Sequence, residues 1–185
     1  MARTLSTMLP LGTEIKYFEL LDPISGSKKS IEDLQSDLAT VIMFICNHCP
    51  FVKHVNEELV RLGQDYIPVG VSFIAINSNN MEAYPEDAPD KMIETSQALD
   101  YPFPYLFDET QEVAKAYDAA CTPDFFIFDG KEKLVYRGQL DDSSPGNVIP
   151  VTGKDIRGAL DAILEGREVP HAQRPSIGCN IKWKY

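Results

Sequence analysis

Short apolar runs alternate along this chain with segments that carry a helical stripe. Residues 41–45, VIMFI, are continuously apolar and bounded by polar positions. A run this short and rich in β-branched residues reads as a strand buried on both faces, as in the middle of an α/β sheet. In the following segment, residues 46–65, Phe51, Val55, Leu59 and Leu62 recur at spacings of four, four and three. That spacing gives one apolar stripe and predicts a helix. Pro50 falls in its first turn, where a missing N–H costs little. Residues 71–76 and 125–128 repeat the buried-strand pattern, and Asp129-Gly130 signals a hairpin to a partner strand over 134–139.

Shorter signals fill the intervals. Residues 17–20 read as a strand, with Asp22-Pro23 and Ser25-Gly26 as a turn. Ser30 is a helix N-cap with Asp33 three residues on. Residues 84–90 hold two prolines and three acids and read as a loop, followed by a helix over 90–99. Pro102 and Pro104 bracket an extended piece leading into 105–107, and Asp108 caps a helix running to about 117. After a loop over 141–150, Thr152 caps a helix ending near Gly166, and residues 166–185 form a docked tail. No internal repeat interrupts this order. Strand–helix alternation ending in an antiparallel hairpin predicts an α/β fold, a mixed central sheet flanked by helices.

At 185 residues the chain predicts one domain, large enough to bury about 70% of its unfolded surface. The balance of 28 acidic against 17 basic residues leaves a net charge of -11, which repels phosphate backbones and argues against nucleic acid as a partner. No apolar run approaches the ~20 residues that span a bilayer, so no membrane partner is expected. The opening MARTLSTMLPLG lacks a secretory apolar core. The expectation is a cytoplasmic protein, whose cysteines are catalytic, metal-binding or simply buried rather than structural disulfides.

The chemistry concentrates at Cys46-Asn47-His48-Cys49, where the first buried strand gives way to a helix. Helix N-terminal N–H groups and the helix dipole favour negative charge and lower a thiol pKa. A protonated His48 adds positive charge beside both sulfurs, and Cys49 stands one turn on, in reach of a disulfide to Cys46. The pattern predicts an accessible Cys46 thiolate at an exposed junction with Cys49 as resolving partner. The competing readings are two cysteines that only pack, and a zinc site completed by Cys121, Cys179, His48 or His171. With no second C-x-x-C, no metal is expected. Pro50 after Cys49 excludes haem attachment, and the chain has neither a phosphate loop nor a GxGxxG fingerprint, so no cofactor is expected.

These residues resemble a family. The chain is similar to thioredoxin-fold proteins of the peroxiredoxin-like branch, the AhpC/TSA-related thiol oxidoreductases. Residues 9–38 resemble that branch's N-terminal extension, and the strand–CxxC–helix unit follows. Thr122-Pro123 opens the strand and turn Phe125-Phe126-Ile127-Phe128-Asp129-Gly130, similar to the family's Thr-cisPro before a hairpin. The final helix matches as well. The resemblance covers about residues 9–165. More narrowly, NHCPFV with the tail SIGCNIKWK (176–184) resembles a peroxiredoxin-like subgroup. The resemblance implies a cis bond at Pro123 facing the CxxC, with Thr122 and Pro123 shaping the groove where a partner's backbone pairs. It also implies an insertion around 78–104.

The sequence departs from its relatives in ways that bear on activity. Peroxiredoxins carry Thr three residues and Pro seven residues before the reactive cysteine; here those positions are Met43 and Ala39. Thioredoxins carry Gly-Pro between the cysteines, where this chain has Asn-His. A His there resembles more oxidising members such as disulfide isomerases, so the Cys46–Cys49 potential is expected above thioredoxin's about -270 mV. The expected activity is thiol–disulfide oxidoreduction, with Cys46 attacking, Cys49 resolving, His48 tuning the Cys46 thiol, and Asn47, Thr122 and Pro123 supporting. The alternatives are a thiol peroxidase acting through a Cys46 sulfenic acid and a redox-sensing binding module. Expected partners are protein or small-molecule disulfides, or peroxides, with a thiol reductant such as thioredoxin or glutathione. Cys121 and Cys179 are candidates for additional redox roles; packing is the other reading for Cys121 and tail anchoring for Cys179. His54, Lys53, Arg137, His171 and the Glu57-Glu58 pair are read as surface groups.

Overall fold

The computed structural model describes residues 3–184. In chain order the elements are β1 (Arg3–Leu5), β2 (Glu19–Asp22), β3 (Ser27–Ser30), α1 (Ile31–Leu34), β4 (Ala39–Phe44), α2 (Pro50–Tyr66), β5 (Val71–Asn77), α3 (Pro89–Ala98), β6 (Tyr105–Phe107), α4 (Glu112–Ala116), β7 (Cys121–Thr122), β8 (Asp124–Asp129), β9 (Leu134–Gly138), α5 (Lys154–Leu164) and β10 (Ile177–Asn180). Seven strands form one sheet in the order β3-β2-β6-β5-β4-β8-β9. β4 pairs parallel with β5 and antiparallel with β8, so the sheet is mixed as expected.

All six residues of β4 are buried. Successive side chains leave a strand on opposite faces. Val41 and Met43 therefore join the cluster with Val52, Leu59, Phe73, Ile156 and Leu160 on one side. Ile42 and Phe44 join Ile74, Ile76, Tyr117, Phe126 and Phe128 on the other. The continuous apolar run is thus the signature of a central strand with cores on both faces.

Ser30 and Asp33 form the expected capping box at α1. Two other caps differ from expectation. α5 is capped by Gly153 in the left-handed conformation rather than by Thr152, and Asp141 takes the backbone N–H of both residues at 2.7 Å. α4 starts at Glu112 after Gln111, and Asp108 reaches in to accept the Ala114 N–H at 2.9 Å. The tail is more than docked. β10 lies between β1 and β7, making a second, three-stranded sheet from both ends of the chain and the segment before Pro123. No helix among the described residues is long and apolar enough to cross a membrane.

Candidate active site

The helix after the cysteines begins at Pro50, not at Cys46, because Cys49 is its N-cap in an extended conformation. Cys46, Asn47 and His48 are therefore the connection between β4 and α2. Asn47 ties this connection down: its N–H donates to Asp87 Oδ1 at 2.7 Å, its amide to the Glu86 carbonyl at 2.8 Å, and its side-chain oxygen accepts from Tyr105 at 3.0 Å.

The peptide bond between Thr122 and Pro123 is cis, as the resemblance implied. Thr122 lies against both cysteines. Its Oγ1 is 3.4 Å from Cys46 Sγ, and its carbonyl oxygen is 3.2 Å from Cys49 Sγ, where it accepts the thiol proton when Cys49 carries one. The expected groove for a partner backbone at Thr122 and Pro123 is not open. Cys179 of β10 pairs with Thr122, the Ser176 hydroxyl donates to the Pro123 carbonyl at 2.7 Å, and Thr122 and Pro123 are buried. The edge that would accept a partner strand has taken the chain's own tail.

Two further expectations are corrected. Cys46 is not an accessible thiolate: the residue is 2% exposed and Cys49 0%. Nor does the charge rest on Cys46. Hydrogen bonding with Cys49, burial and the neighbouring Asp87 charge hold the Cys46 thiol well above its ordinary range. Cys49 moves the other way, down to about 4: the Cys46 hydrogen bond outweighs burial, assisted by Cys179 and by the Val52 N–H in the first turn of α2. The hydrogen bond between the two sulfurs couples their titration and favours negative charge on Cys49 over Cys46. The helix terminus acts as the sequence implied, but on its own cap residue rather than on Cys46.

His48 Nδ1 lies 2.6 Å from Asp87 Oδ2, and this hydrogen bond raises the imidazole pKa from its ordinary value. Its ring stacks on Tyr84 with centroids 5.2 Å apart. Lys182 Nζ from the tail sits 5.7 Å from the centre of the same tyrosine ring. Burial of Asp87 favours its neutral form, but hydrogen bonds from His48, Asn79 and the Asn47 N–H win and lower its pKa. Cys46, His48 and Asp87 also bring one candidate metal-ligand atom each within 4.8 Å of one another. In the structure Asp87 accepts from Asn47, His48 and Asn79, and Cys46 faces Thr122.

Cys179 Sγ, also buried, is 2.7 Å from Cys49 Sγ. Cys121 faces elsewhere: its Sγ donates to the Pro123 carbonyl at 3.6 Å, and burial with the Asp124 charge pushes its thiol up. Asp124 itself is fully buried, neither carboxylate oxygen has a hydrogen-bond partner among the described residues, and burial pushes its pKa up to about 7. The surface readings divide. His171 is exposed beside Glu168. Arg137 does not reach the cysteines; it binds the Leu9 carbonyl and Gln173. Glu58 is not a solvated group; it is 3% exposed and paired with Arg61 and Arg157.

Sequence reasoning missed Asp87, Asn79, Tyr84 and Lys182. Asp87 sat in a proline-flanked acidic loop indistinguishable from a solvated one. The one available signal was the polar stretch Asn77-Ser78-Asn79-Asn80 directly after the apolar run 73–76 of β5, because polar groups buried there need partners.

Comparison with known proteins bears on the family and the fold. Residues 11–137 match the AhpC/TSA family. No curated protein matches the chain. A conserved protein of Geobacillus kaustophilus, described as uncharacterized, is 66% identical over 100% of this chain and 97% of its own, with a TM-score of 0.98. A hypothetical protein of Sinorhizobium meliloti is 46% identical over 98% of both chains, with a TM-score of 0.95. The thioredoxin domain of a thiol-disulfide oxidoreductase from Bacteroides vulgatus shares the fold at 13% identity, over 70% of this chain and 88% of its own, with a TM-score of 0.59. With a mixed sheet, a cysteine pair at the start of α2 and a cis-proline beside it, the chain has the thioredoxin fold and belongs to the AhpC/TSA family.

Proposed function

We propose that the protein is a thiol–disulfide oxidoreductase working through the Cys46–Cys49 pair. The observation that carries this reading is the geometry: Cys46 and Cys49 flank the start of α2, and Thr122, ahead of a cis-proline, lies against both sulfurs at 3.4 Å and 3.2 Å. When a disulfide approaches, Cys46 attacks it and its proton passes to the departing substrate sulfur. The substrate's S–S bond breaks and its distal sulfur leaves as a thiol. The Cys49 thiolate then displaces the remaining substrate sulfur, closing the Cys46–Cys49 disulfide. The substrate is reduced by two electrons and the pair is oxidised by two; an external thiol returns them. The tail over Thr122 and Pro123 favours small-molecule disulfides over extended protein segments.

The test is reduction of a small disulfide under a thiol-regenerating system. Cys46→Ser is expected to lower turnover sharply, leaving only slow exchange through the buried Cys49, and Cys49→Ser to stop it at a mixed disulfide on Cys46. A Cys46→Ser protein with full exchange activity would refute the assignment. Family membership and the Thr122 hydroxyl beside Cys46 support a second reading, peroxide reduction through a Cys46 sulfenic acid. Met43 lies wholly in the core and supplies no hydroxyl at the position peroxiredoxins use. Peroxide oxidation of Cys46 no faster than an ordinary thiolate would dismiss that reading.

A further inference from the structure

Three of the four cysteines converge, and the third comes from the opposite end of the chain. Cys179 Sγ is 2.7 Å from Cys49 Sγ, about 0.7 Å beyond the ~2.04 Å length of a disulfide bond. The approach is built into the fold. β10 is hydrogen-bonded to strands on both sides, and Cys179 is in register with Thr122 on one side and Arg3 on the other. Gly178 lies flush on the segment before Pro123: a Cβ there would stand 2.0 Å from the Thr122 carbonyl oxygen. Downstream, Ile181 N–H donates to the Ala120 carbonyl at 3.1 Å and Lys182 N–H to Asn79 Oδ1 at 2.8 Å. Cys49 thus has a thiol neighbour on each side, Cys46 within its own loop and Cys179 from the tail. Cys121 is excluded because its sulfur faces the Pro123 carbonyl.

We propose that Cys179 is a third redox residue, which attacks Cys49 in the Cys46–Cys49 disulfide and takes over the bond. The inference rests on the oxidoreductase reading, which supplies that first disulfide. In the exchange the Cys179 sulfur forms a bond to Cys49 Sγ, the Cys46–Cys49 bond breaks, and Cys46 leaves as the thiolate. The proton lost by Cys179 ends on Cys46. One disulfide is present before and after, so no outside oxidant or reductant is consumed. The result is a buried Cys49–Cys179 bridge that holds the first oxidising equivalent while Cys46 returns to the thiol. The proton inventory agrees with this. In the reduced protein burial and the Cys49 thiolate hold the Cys179 thiol up at about 12; once Cys49 is in a disulfide that charge is gone, while the nearby Lys182 still favours ionisation.

The test is disulfide mapping. Reduced wild type, Cys179→Ser and Cys46→Ser proteins are equilibrated with oxidised glutathione, quenched in acid, alkylated and mapped by mass spectrometry. In oxidised wild type, Cys49–Cys179 peptides accompany an alkylated Cys46, and that Cys46 labelling drops at least about tenfold in Cys179→Ser. In Cys46→Ser, glutathione attached to Cys49 is displaced by Cys179 to give the same bridge. Wild type holding only Cys46–Cys49, or Cys46→Ser stalled as a glutathione mixed disulfide on Cys49, would overturn the relay. The wild-type map decides even if a variant fails to fold. The underlying reading fails separately: a folded Cys179→Ser protein that forms no Cys46–Cys49 bond would remove the first step.

Discussion

At the scale of single residues, the site is a problem of where protons sit. The hydrogen bond between Cys46 and Cys49 raises the first thiol and lowers the second, and Cys179 with the Val52 N–H in the first turn of α2 adds to the preference for charge on Cys49. With its pKa lowered to about 4, the thiolate persists at neutral pH and disappears as pH falls through that value. We expect the ultraviolet thiolate absorbance of the reduced protein to be flat from neutrality down to about pH 5 and to fall below it. Cys49→Ser should remove that low-pH step, and a step that survives in this variant would assign the charge elsewhere. Asp124 is the opposite case. Its folded pKa, about 7, lies above the unfolded value of about 3.9, so the fold disfavours its charge and stability drops as pH rises between the two. Asp124→Asn should therefore stabilise the protein by roughly 2–4 kcal/mol at pH 8, with the advantage shrinking toward pH 4, as urea unfolding at the two pH values would show. Equal gains at both would rule out ionisation as the cause. The cysteine pair was legible because its two members are three positions apart. Asp87 was not, and Cys179 could be named only as a candidate without its partner, because nothing local in their segments says which side chain turns inward.

Elements were legible where one pattern decides them. The apolar run of β4 and the stripe of α2 each read correctly because burial on two faces or on one leaves a distinct period. The ends were harder. β3, β7 and β10 are two to four residues long, and β10 exists because β1 and β7 offer it edges on both sides, which no local propensity encodes. Gly178 shows why that strand fits where it does. Its missing Cβ lets the backbone close on Thr122, whereas Gly178→Ala would put a methyl carbon 2.0 Å from a carbonyl oxygen and 3.1 Å from Pro123 N. Backbone must shift to accept it, so we expect a loss of about 1–3 kcal/mol in urea unfolding. The same substitution should draw Cys179 away from Cys49 and diminish the Cys49–Cys179 bridge on oxidation. A variant with unchanged stability and unchanged bridging would show that β10 adapts without using the close approach.

At the scale of the whole molecule, the two ends of the chain close over a site formed by its middle. β1 holds β10, β10 covers Thr122 and Pro123, and Lys182 reaches the tyrosine that stacks on His48. A disulfide between Cys46 and Cys49 constrains only the loop at the start of α2, whereas one between Cys49 and Cys179 joins residues 130 apart in sequence. Loop-closure entropy makes these unequal. On the chain-entropy account the long closure is worth about 4–5 kcal/mol and the four-residue closure about 2. The separation can be isolated by measurement. Oxidised Cys46→Ser, with only the long bridge open to it, should unfold at a higher urea concentration than its reduced form. Its stability gain should be about twice that of Cys179→Ser treated the same way, with unfolding followed without reductant. Strain in the closed bridge would reduce the difference without reversing it, since the tail already holds the two sulfurs together before any bond forms. If oxidation stabilises Cys179→Ser more than Cys46→Ser, the tail is not linked to α2. The three-stranded sheet would then cover the site by hydrogen bonding alone.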